Sequence, residues 1–333
     1  SIVIANSLLY EFSKEVFVLY TGKILKDTSK LSGKERPWRE KKLDSLTYSQ
    51  YLEVLNFKKA NRVKDCGDVL QFAMTDDGMK LYQTWFCHSR LCPLCSWRRT
   101  LKNSYELQQI LDVANSKYPK AIYLFLTLTE ENSQLGELKV NLKKMNGSIR
   151  RLMQYRKVAK NLIGYVRSSE ITVNRSNFTF HQHMHVLLLM KSSYFNSSDY
   201  LTKSDWVKLW RRARKLDYDP VIDVRKIRAR SNHGQGALVD SAKEVAKYQV
   251  KNSDYITTDQ ESDLIILNEL EKGLQGSRQL SFGGLLKEIR HTLLLDQTED
   301  DLINVSNDDS DNDVIRKVMY KWNSKVADYV SWE

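Results

Sequence analysis

The stretch that decides the fold is FHQHMHVLLLM, residues 180–190. It holds three of the six histidines of the chain, and it continues into an apolar, partly β-branched run that is typical of a buried strand. Alternate side chains of a strand share a face, so His183 and His185 point to one side and Met184 points to the other. Two imidazoles on one face of a rigid strand can supply half of a metal site; the alternative is a pair of ordinary histidines at a sheet edge.

A second strand is predicted immediately before this one, over GYVRSSEITVN, residues 164–174. The turn residues NRSN, at 174–177, lead directly into the histidine strand, so we expect an antiparallel hairpin. This pairing would bring Glu170 across from His183 and His185. A carboxylate joining two imidazoles gives a three-ligand site with open positions, whereas a solvated strand residue is the alternative for Glu170.

The cysteines form a second cluster of metal-binding residues. All four lie within thirty residues, at Cys66, Cys87, Cys92 and Cys95, with the spacing C-x20-C-x4-C-x2-C. Four thiolates complete a tetrahedral zinc site without another ligand, so this zinc would be structural and not catalytic. Two disulfides are the alternative, but no secretion signal accompanies them. His88 is a less suitable ligand because its neighbour Cys87 already occupies that place.

The composition favours a folded protein with a polyanionic partner. The chain has 333 residues, enough for two or three domains, and carries a net charge of +11. No apolar run is long enough to span a bilayer, and we expect a cytoplasmic protein. The polar and basic residues 22–42 predict either a solvated arm or an arm that contacts DNA.

The remaining pattern alternates irregularly between strands and helices. AIYLFLTLT, residues 121–129, predicts another strand, and LVDSAKEVAKYQV, residues 238–250, predicts a helix. Glu244 and Tyr248 are four residues apart on that helix and share a face, although a helical tyrosine is usually a packing residue. The order of elements favours an α+β fold in which helices cover an antiparallel sheet.

Several of these segments together resemble a known family, the plasmid rolling-circle replication initiators, or Rep proteins, of the HUH endonuclease superfamily. FLTLT at 125–129, HMHVLL at 183–188 and EVAKY at 244–248 are similar to three family motifs in the same order. FCHSRLCPLCSWRR at 86–99 resembles the cysteine segment of the Gram-positive plasmid group, and FGGLLKE at 282–288 is also similar. The resemblance covers about residues 36 to 295. One departure is FHQ at 180–182, where many relatives have a proline.

The resemblance implies a fold and a chemistry. The fold would be α+β, with an RRM-like central antiparallel sheet flanked by helices, an N-terminal zinc-binding module and a mainly helical C-terminal region. Tyr248 would attack one DNA phosphodiester, leaving a 5′-phosphotyrosyl link and a free 3′-OH for a polymerase. His183, His185 and Glu170 would hold the catalytic divalent ion, Mn²⁺ or Mg²⁺, and two imidazoles favour Mn²⁺ on ligand softness.

Further residue roles follow from the same resemblance. Glu244 would activate water in a second cleavage that ends replication; the alternative is a helix-stabilising partner of Lys247 or Lys251. We expect Lys247 and Lys251 to contact DNA phosphates. The pair Arg98 and Arg99, after the cysteines, is also placed where it could contact a phosphate backbone.

The implied domains are four: a basic arm and helix at 1–60, the zinc module and its following helix at 61–116, the nicking domain at 117–258, and a helical region for DNA binding or oligomerisation at 259–333. The implied partners are plasmid origin DNA, single-stranded and hairpin, a second copy of the chain, and a host helicase and polymerase, with no membrane.

Two other functions compete with the nicking enzyme. A non-catalytic, zinc-containing DNA-binding regulator would use the same basic helices and cysteine module. A conjugative relaxase of the same superfamily is disfavoured because relaxases usually place the tyrosine before the histidines.

Overall fold

The computed structural model describes residues 22–29, 32–75, 78–227, 236–247, 249–296, 301–305 and 316–332. The chain divides into two compact units. Unit 1 comprises the described parts of Ser1–Arg98 and Leu302–Glu333, and unit 2 comprises the described parts of Arg99–Asp301.

The described helices and strands follow one another in an irregular order. The helices are α1 Trp38–Val54, α2 Ala60–Lys64, α3 Pro93–Lys117, α4 Leu138–Gln154, α5 Arg156–Ala159, α6 Lys203–Arg214, α7 Gly236–Ala246, α8 Gln260–Leu274 and α9 Leu285–Thr292. The strands are β1 Val69–Thr75, β2 Gly78–Thr84, β3 Ile122–Thr129, β4 Leu162–Asn174, β5 Thr179–Met190, β6 Ile222–Ile227, β7 Leu280–Gly284, β8 Arg316–Asn323 and β9 Asp328–Trp332. None of the helices in the described ranges has the length and apolar character needed to cross a bilayer.

Unit 2 is built on a five-stranded sheet with the order β6-β3-β5-β4-β7, in which every neighbouring pair is antiparallel. The histidine strand β5 is therefore the central strand, with β3 on one side and β4 on the other. The predicted α+β class with a central antiparallel sheet is confirmed.

The β4–β5 hairpin has the predicted location and pairs over most of both strands. Thr179 lies opposite Asn174 at the turn end, and Leu188 lies opposite Tyr165 further along. In this register Glu170 is directly opposite His183, and Ser168 is opposite His185. The hairpin therefore brings the three predicted ligands to one end of the sheet.

One face of the sheet packs against helices α4 and α6. The face consists of the even-numbered residues of β3 and β5, with Met184, Val186 and Leu188 fully buried. Trp206 and Trp210 of α6 cover it. Helix α6 begins at a capping box, in which the Thr202 hydroxyl accepts from the Asp205 backbone and the Asp205 carboxylate accepts in return.

The opposite face carries the histidines and packs against α3, α7 and α9. Its buried residues include Phe125, Leu187 and Leu189 of the sheet, together with Ala242 and Val245 of α7. Because the C-terminal half of β5, residues 186–190, is covered on both faces, its side chains form one continuous apolar run. The run ends at Val186, and the histidines lie beyond it, where the side chains of His181 and His183 are partly exposed.

The strand β7 and helix α9 join the sheet through two consecutive glycines. Gly284 has a φ of +56°, a conformation that L side chains rarely adopt, and it directly precedes α9. A Cβ at Gly283 would collide with the ring of Tyr165 on β4. The glycine pair of the FGGLLKE segment therefore permits the close approach of β7 to β4.

Unit 1 contains a second antiparallel sheet, with the order β2-β1-β8-β9. Its inner face packs on α1, where Trp38 meets the ring of Phe72 edge to face with 6.2 Å between the ring centroids. The C-terminal region, predicted to be mainly helical, contains α8 and α9 and then the hairpin β8–β9. This hairpin completes the sheet that β1 and β2 begin, so the end of the chain belongs to the unit of the cysteines.

We expect Leu188→Ala to lower the free energy of unfolding by about 2–5 kcal/mol, because Leu188 is fully buried on the central strand. Urea unfolding followed by tryptophan fluorescence measures this, since Trp206 and Trp210 lie in the same core. The control Val221→Ala, at a side chain 80% exposed, should change the stability by less than about 0.5 kcal/mol. Equal effects of the two substitutions would contradict the assigned core.

Candidate functional site

The predicted metal site lies in the N-terminal half of β5. His183 and His185 project from the same face, with their rings stacked at an interplanar angle of 14° and 6.1 Å between centroids. Glu170 reaches the same face from β4, and Thr127 reaches it from β3, where it is opposite His185. Three adjacent strands thus contribute to one surface.

His185 is the centre of the polar contacts. Its Nε2 is 2.9 Å from Oε2 of Glu170 and 3.9 Å from Oε1 of Glu244. Its Nδ1 is 3.3 Å from the hydroxyl of Thr127. Ligand atoms of Glu170, His185 and Glu244 all lie within 4.8 Å of one another, so these three side chains have the geometry of a metal-binding group.

His183 is adjacent to this group but is not part of it. Its Nδ1 is buried and has no hydrogen-bond partner among the described residues. Burial, with the neighbouring His181, lowers the pKa of His183 to about 4, although Glu170 opposes the shift. His183 is therefore neutral at pH 7, which is the form that binds a metal.

Glu170 is held in its anionic form. The hydrogen bond with His185 is the main cause of the lowered pKa of this carboxyl, against the opposing effect of burial. The positive charge of Lys251 contributes in the same direction. A carboxylate that stays ionised beside a neutral imidazole is a suitable donor for a hard or borderline cation.

Helix α7 delivers the carboxylate of Glu244 to the site. Val245 and Ala242 are buried against the histidine face of the sheet, and this packing fixes the helix above His185. Glu244 also forms an ion pair with Lys247. The sequence predicted Glu244 as a catalytic residue near Tyr248, but it did not indicate that Glu244 would join Glu170 and His185.

Tyr248, the predicted nucleophile, lies outside the described residues. The residue after it is fixed to the sheet, because the backbone N–H of Ile171 on β4 donates to the carbonyl of Gln249 at 2.8 Å. Ile171 follows Glu170 in the chain, so the segment after α7 passes beside the candidate site.

The predicted DNA-binding residues differ in their surroundings. Lys247 and Lys251 are exposed near the candidate site, and Arg99 is partly exposed. Arg98 is only 4% exposed, and its guanidinium donates to the carbonyls of Leu302 and Ile303 at 2.9 and 2.6 Å. Its guanidinium thus holds the returning chain within unit 1, and we do not carry Arg98 into the proposed DNA contacts.

Thr127 is a site residue that the sequence interpretation did not single out. Its hydroxyl is the hydrogen-bond partner of His185. Thr127 lies on the same face of the sheet as Phe125, whose ring centroid is 5.6 Å from that of His185. The signal was present in the FLTLT segment, because strand alternation places Thr127 on the same face as Phe125.

The four cysteines converge in unit 1, and all four are buried. Their sulfur atoms are close: Cys66 to Cys95 is 3.4 Å, Cys87 to Cys95 is 3.6 Å and Cys92 to Cys66 is 3.7 Å. A tetrahedral site with zinc–sulfur bonds of about 2.3 Å requires sulfur separations of about 3.8 Å. The donors therefore fit a structural zinc ion without rearrangement of the chain.

The thiols of this cluster differ in how readily they ionise. Burial opposes ionisation of Cys92, but hydrogen bonds with the other three thiols hold its pKa well below the usual value. The hydrogen bond with Cys87 raises the pKa of Cys66 well above the usual value, and burial does the same for Cys95. The hydroxyl of Ser45 is 3.4 Å from the sulfur of Cys92, and the backbone N–H of Cys87 donates to the sulfur of Cys66 at 3.3 Å. The buried ammonium of Lys42 donates to the carbonyl of Cys66 at 2.9 Å.

Comparison with known proteins identifies the family of the chain. A family model described as "Replication protein" matches residues 78–330. The chain belongs to this family, and the predicted relationship to plasmid replication initiators is confirmed.

The relatives match over nearly their whole length. "Protein rep" of Lentilactobacillus hilgardii is 53% identical over 313 residues, which cover 93% of this chain and 99% of that protein. "Protein rep" of Lactiplantibacillus plantarum is 47% identical, over 90% of this chain and 97% of that protein. "Protein rep" of Streptococcus pneumoniae serotype 2 is 39% identical, over 92% and 95%. No solved structure matches the chain.

We expect the purified protein to contain about one zinc ion per chain, and Cys95→Ser to remove most of it, because four thiolates are needed to close the site. Elemental analysis by mass spectrometry measures the zinc content, and thermal unfolding measures the accompanying loss of stability. The control is His88→Asn, at the exposed residue beside Cys87, which should retain the zinc. If Cys95→Ser retained the zinc, Cys95 would not be a ligand. If His88→Asn lost it, His88 would be one.

Proposed function

We propose that the protein is a site-specific, metal-dependent DNA nicking and joining enzyme that initiates rolling-circle replication of a plasmid. The observation that carries this proposal is the convergence of Glu170, His183, His185 and Glu244 beside the chain segment that contains Tyr248. DNA binding alone does not require two carboxylates and two imidazoles together at one end of a sheet.

The residues of this site fit a divalent cation. His183 offers a buried nitrogen without a partner, and Glu170 offers an anionic carboxylate 2.9 Å from His185. His183, His185 and Glu170 would hold the ion, as the sequence predicted, and the position of Glu244 makes it a further candidate ligand. When bound, Mn²⁺ or Mg²⁺ supplies positive charge that stabilises the oxygens of a phosphate under attack.

Tyr248 is the proposed nucleophile. Its phenolic oxygen forms a bond to the phosphorus while the bond from phosphorus to the 3′ oxygen breaks, giving a 5′-phosphotyrosyl link and a free 3′-OH. A tyrosine hydroxyl ordinarily has a pKa of about 10, so it needs a positive neighbour or a base to lose its proton. Lys247 and Lys251 flank Tyr248 in the sequence, and we propose that they stabilise the phenolate or bind DNA phosphates.

Glu244 is proposed to activate water in the second cleavage. Hydrolysis releases the protein from DNA, whereas a second covalent link would not, so a carboxylate general base at this place gives a way to end replication. Its ion pair with Lys247 is compatible with this role, because the side chains of Lys247 and Glu244 are 53% and 32% exposed and water therefore reaches the pair.

The proposed partners follow from the same activity. The substrate would be plasmid origin DNA, single-stranded or in a hairpin, cleaved by the nicking domain at 117–258. The zinc module at 61–116, the basic arm at 1–60 and the region at 259–333 would contribute to duplex binding or to a homodimer. The free 3′-OH would be used by a host polymerase with a helicase, in the cytoplasm.

We expect the wild-type protein with Mn²⁺ to nick an origin oligonucleotide and to form a covalent protein–DNA adduct, and Tyr248→Phe to form none, because the attacking oxygen is removed. Denaturing gel electrophoresis of a labelled oligonucleotide measures both products. The control Tyr118→Phe, at an exposed tyrosine, should form the adduct at the wild-type level.

The adduct assay, together with a measurement of duplex binding, separates the nicking enzyme from the non-catalytic regulator. In a non-catalytic regulator, the double substitution of His183 and His185 by alanine would leave every measurable activity intact, namely duplex binding. In a nicking enzyme it abolishes the adduct and leaves duplex binding unchanged, while His291→Ala, at a side chain 83% exposed, affects neither. An adduct formed by Tyr248→Phe at the wild-type rate would contradict the assignment of Tyr248 as the nucleophile.

For Glu244→Gln we expect formation of the first adduct to persist and its hydrolysis to slow by about 100-fold or more, because the amide cannot accept a proton from water. A chase of the isolated adduct measures the hydrolysis. The control is Glu288→Gln, at an exposed position of α9. If Glu244→Gln instead prevents the first adduct, Glu244 acts as a metal ligand and not as the base of the second step.

A further inference from the structure

The outward face of the unit 1 sheet combines aromatic rings and lysines. Tyr82 on β2 is 46% exposed and Trp332 on β9 is 51% exposed. Lys317 lies over the ring of Tyr82 at 3.8 Å from the centroid, and Lys321 lies over the ring of Trp332 at 5.3 Å. The two lysines are four residues apart on β8 and therefore point to the same side. We call this surface the Lys–aromatic face.

The other side of the same sheet is packed, so the exposure of the Lys–aromatic face does not arise from a loose sheet. Leu70 and Phe72 of β1 and Tyr329 of β9 are fully buried, and Trp322 of β8 is nearly so. The sheet therefore has one face that holds unit 1 together and one face on which the rings of Tyr82 and Trp332 are about half exposed among the described residues.

The charge of the Lys–aromatic face is positive. Lys317 and Lys321 stand on its outward side in the described strands. Asp328 is the one carboxylate at an outward position of these described strands, and it lies 3.5 Å from the guanidinium of Arg39, which neutralises it. Positive charge beside exposed rings complements a polyanion that also carries flat, stackable groups.

We propose that the Lys–aromatic face binds single-stranded DNA. Bases stack on exposed aromatic rings, and lysines between the rings bind the phosphates; this combination is typical of surfaces that bind single strands with little sequence preference. A duplex would hide the base faces from Tyr82 and Trp332, so the rings favour an unpaired strand. The inference rests on the proposed function for the choice of DNA as the polyanion, and it adds a binding surface outside the candidate nicking site.

The test uses the full chain and measures binding alone. The probe is a fluorescent oligonucleotide of roughly 20 nucleotides without origin sequence, followed by anisotropy over a range of salt concentrations, with no added Mn²⁺ or Mg²⁺. Two variants are compared with the wild type: Lys317→Gln with Lys321→Gln, and Tyr82→Leu with Trp332→Leu. The leucines keep an apolar strand side chain and remove only the stacking ring. The matched control is Lys203→Gln with Lys208→Gln and Tyr118→Ala, at exposed residues of unit 2.

We expect the lysine variant to reduce the salt slope by about 1.4, since each lysine–phosphate contact on a single strand contributes about 0.7 to the slope. The ring variant should weaken binding by about fivefold or more, since each base–ring stack is lost. The control should stay within about twofold of the wild type. Since no cleavage is measured, absence of nicking in the earlier assay and absence of strand binding here are separate results.

Three outcomes would overturn the proposal. If both variants bind the single strand as tightly as the wild type, the face is not a binding surface for it. Loss of duplex binding with unchanged single-strand binding would assign the face to the duplex. Sedimentation that finds a wild-type dimer, monomeric variants and unchanged strand binding would assign it to a second copy of the chain.

Discussion

The register between β4 and β5 is the constraint on which the candidate site depends. A slip of one residue would turn every side chain of a strand to the opposite face, so His183 and Glu170 would no longer meet. The slip is opposed by the core against α4 and α6, because it would put His183 and His185 in the places of the fully buried Met184 and Val186. The position of the candidate site is thus set by hydrophobic packing on the opposite face of the same strand.

Helix α7 extends this dependence to the carboxylate of Glu244. Val245 is fully buried against the histidine face, and its neighbour Glu244 is thereby held 3.9 Å from His185. A change that shifted the α7 packing would move the carboxylate without any substitution at the site. The core of unit 2 therefore supports both the strand that bears the imidazoles and the helix that leads to Tyr248.

The parts predictable from the sequence are those encoded by local patterns. The strand period and the turn at 174–177 were sufficient for the hairpin, and cysteine spacing was sufficient for the cluster. The pairing of β8 with β1 was not predictable, because Val69 and Lys321 are distant in the chain and no local pattern joins them. The burial of Arg98 was missed for a related reason, since its carbonyl partners return from the far end of the chain. The proximity of Glu244 to Glu170 likewise depends on helix packing.

The local charge of the candidate site gives a separate argument for a cation. The chain as a whole carries a net charge of +11, which favours the approach of DNA. At the end of β5, however, the carboxylates of Glu170 and Glu244 lie together beside His185, and Glu244 is paired with Lys247. Carboxylates at close range disfavour each other and also repel a phosphate. In the proposed function, a divalent cation between the carboxylates and a DNA phosphate would offset this repulsion, and Lys247 and Lys251 would attract the strand.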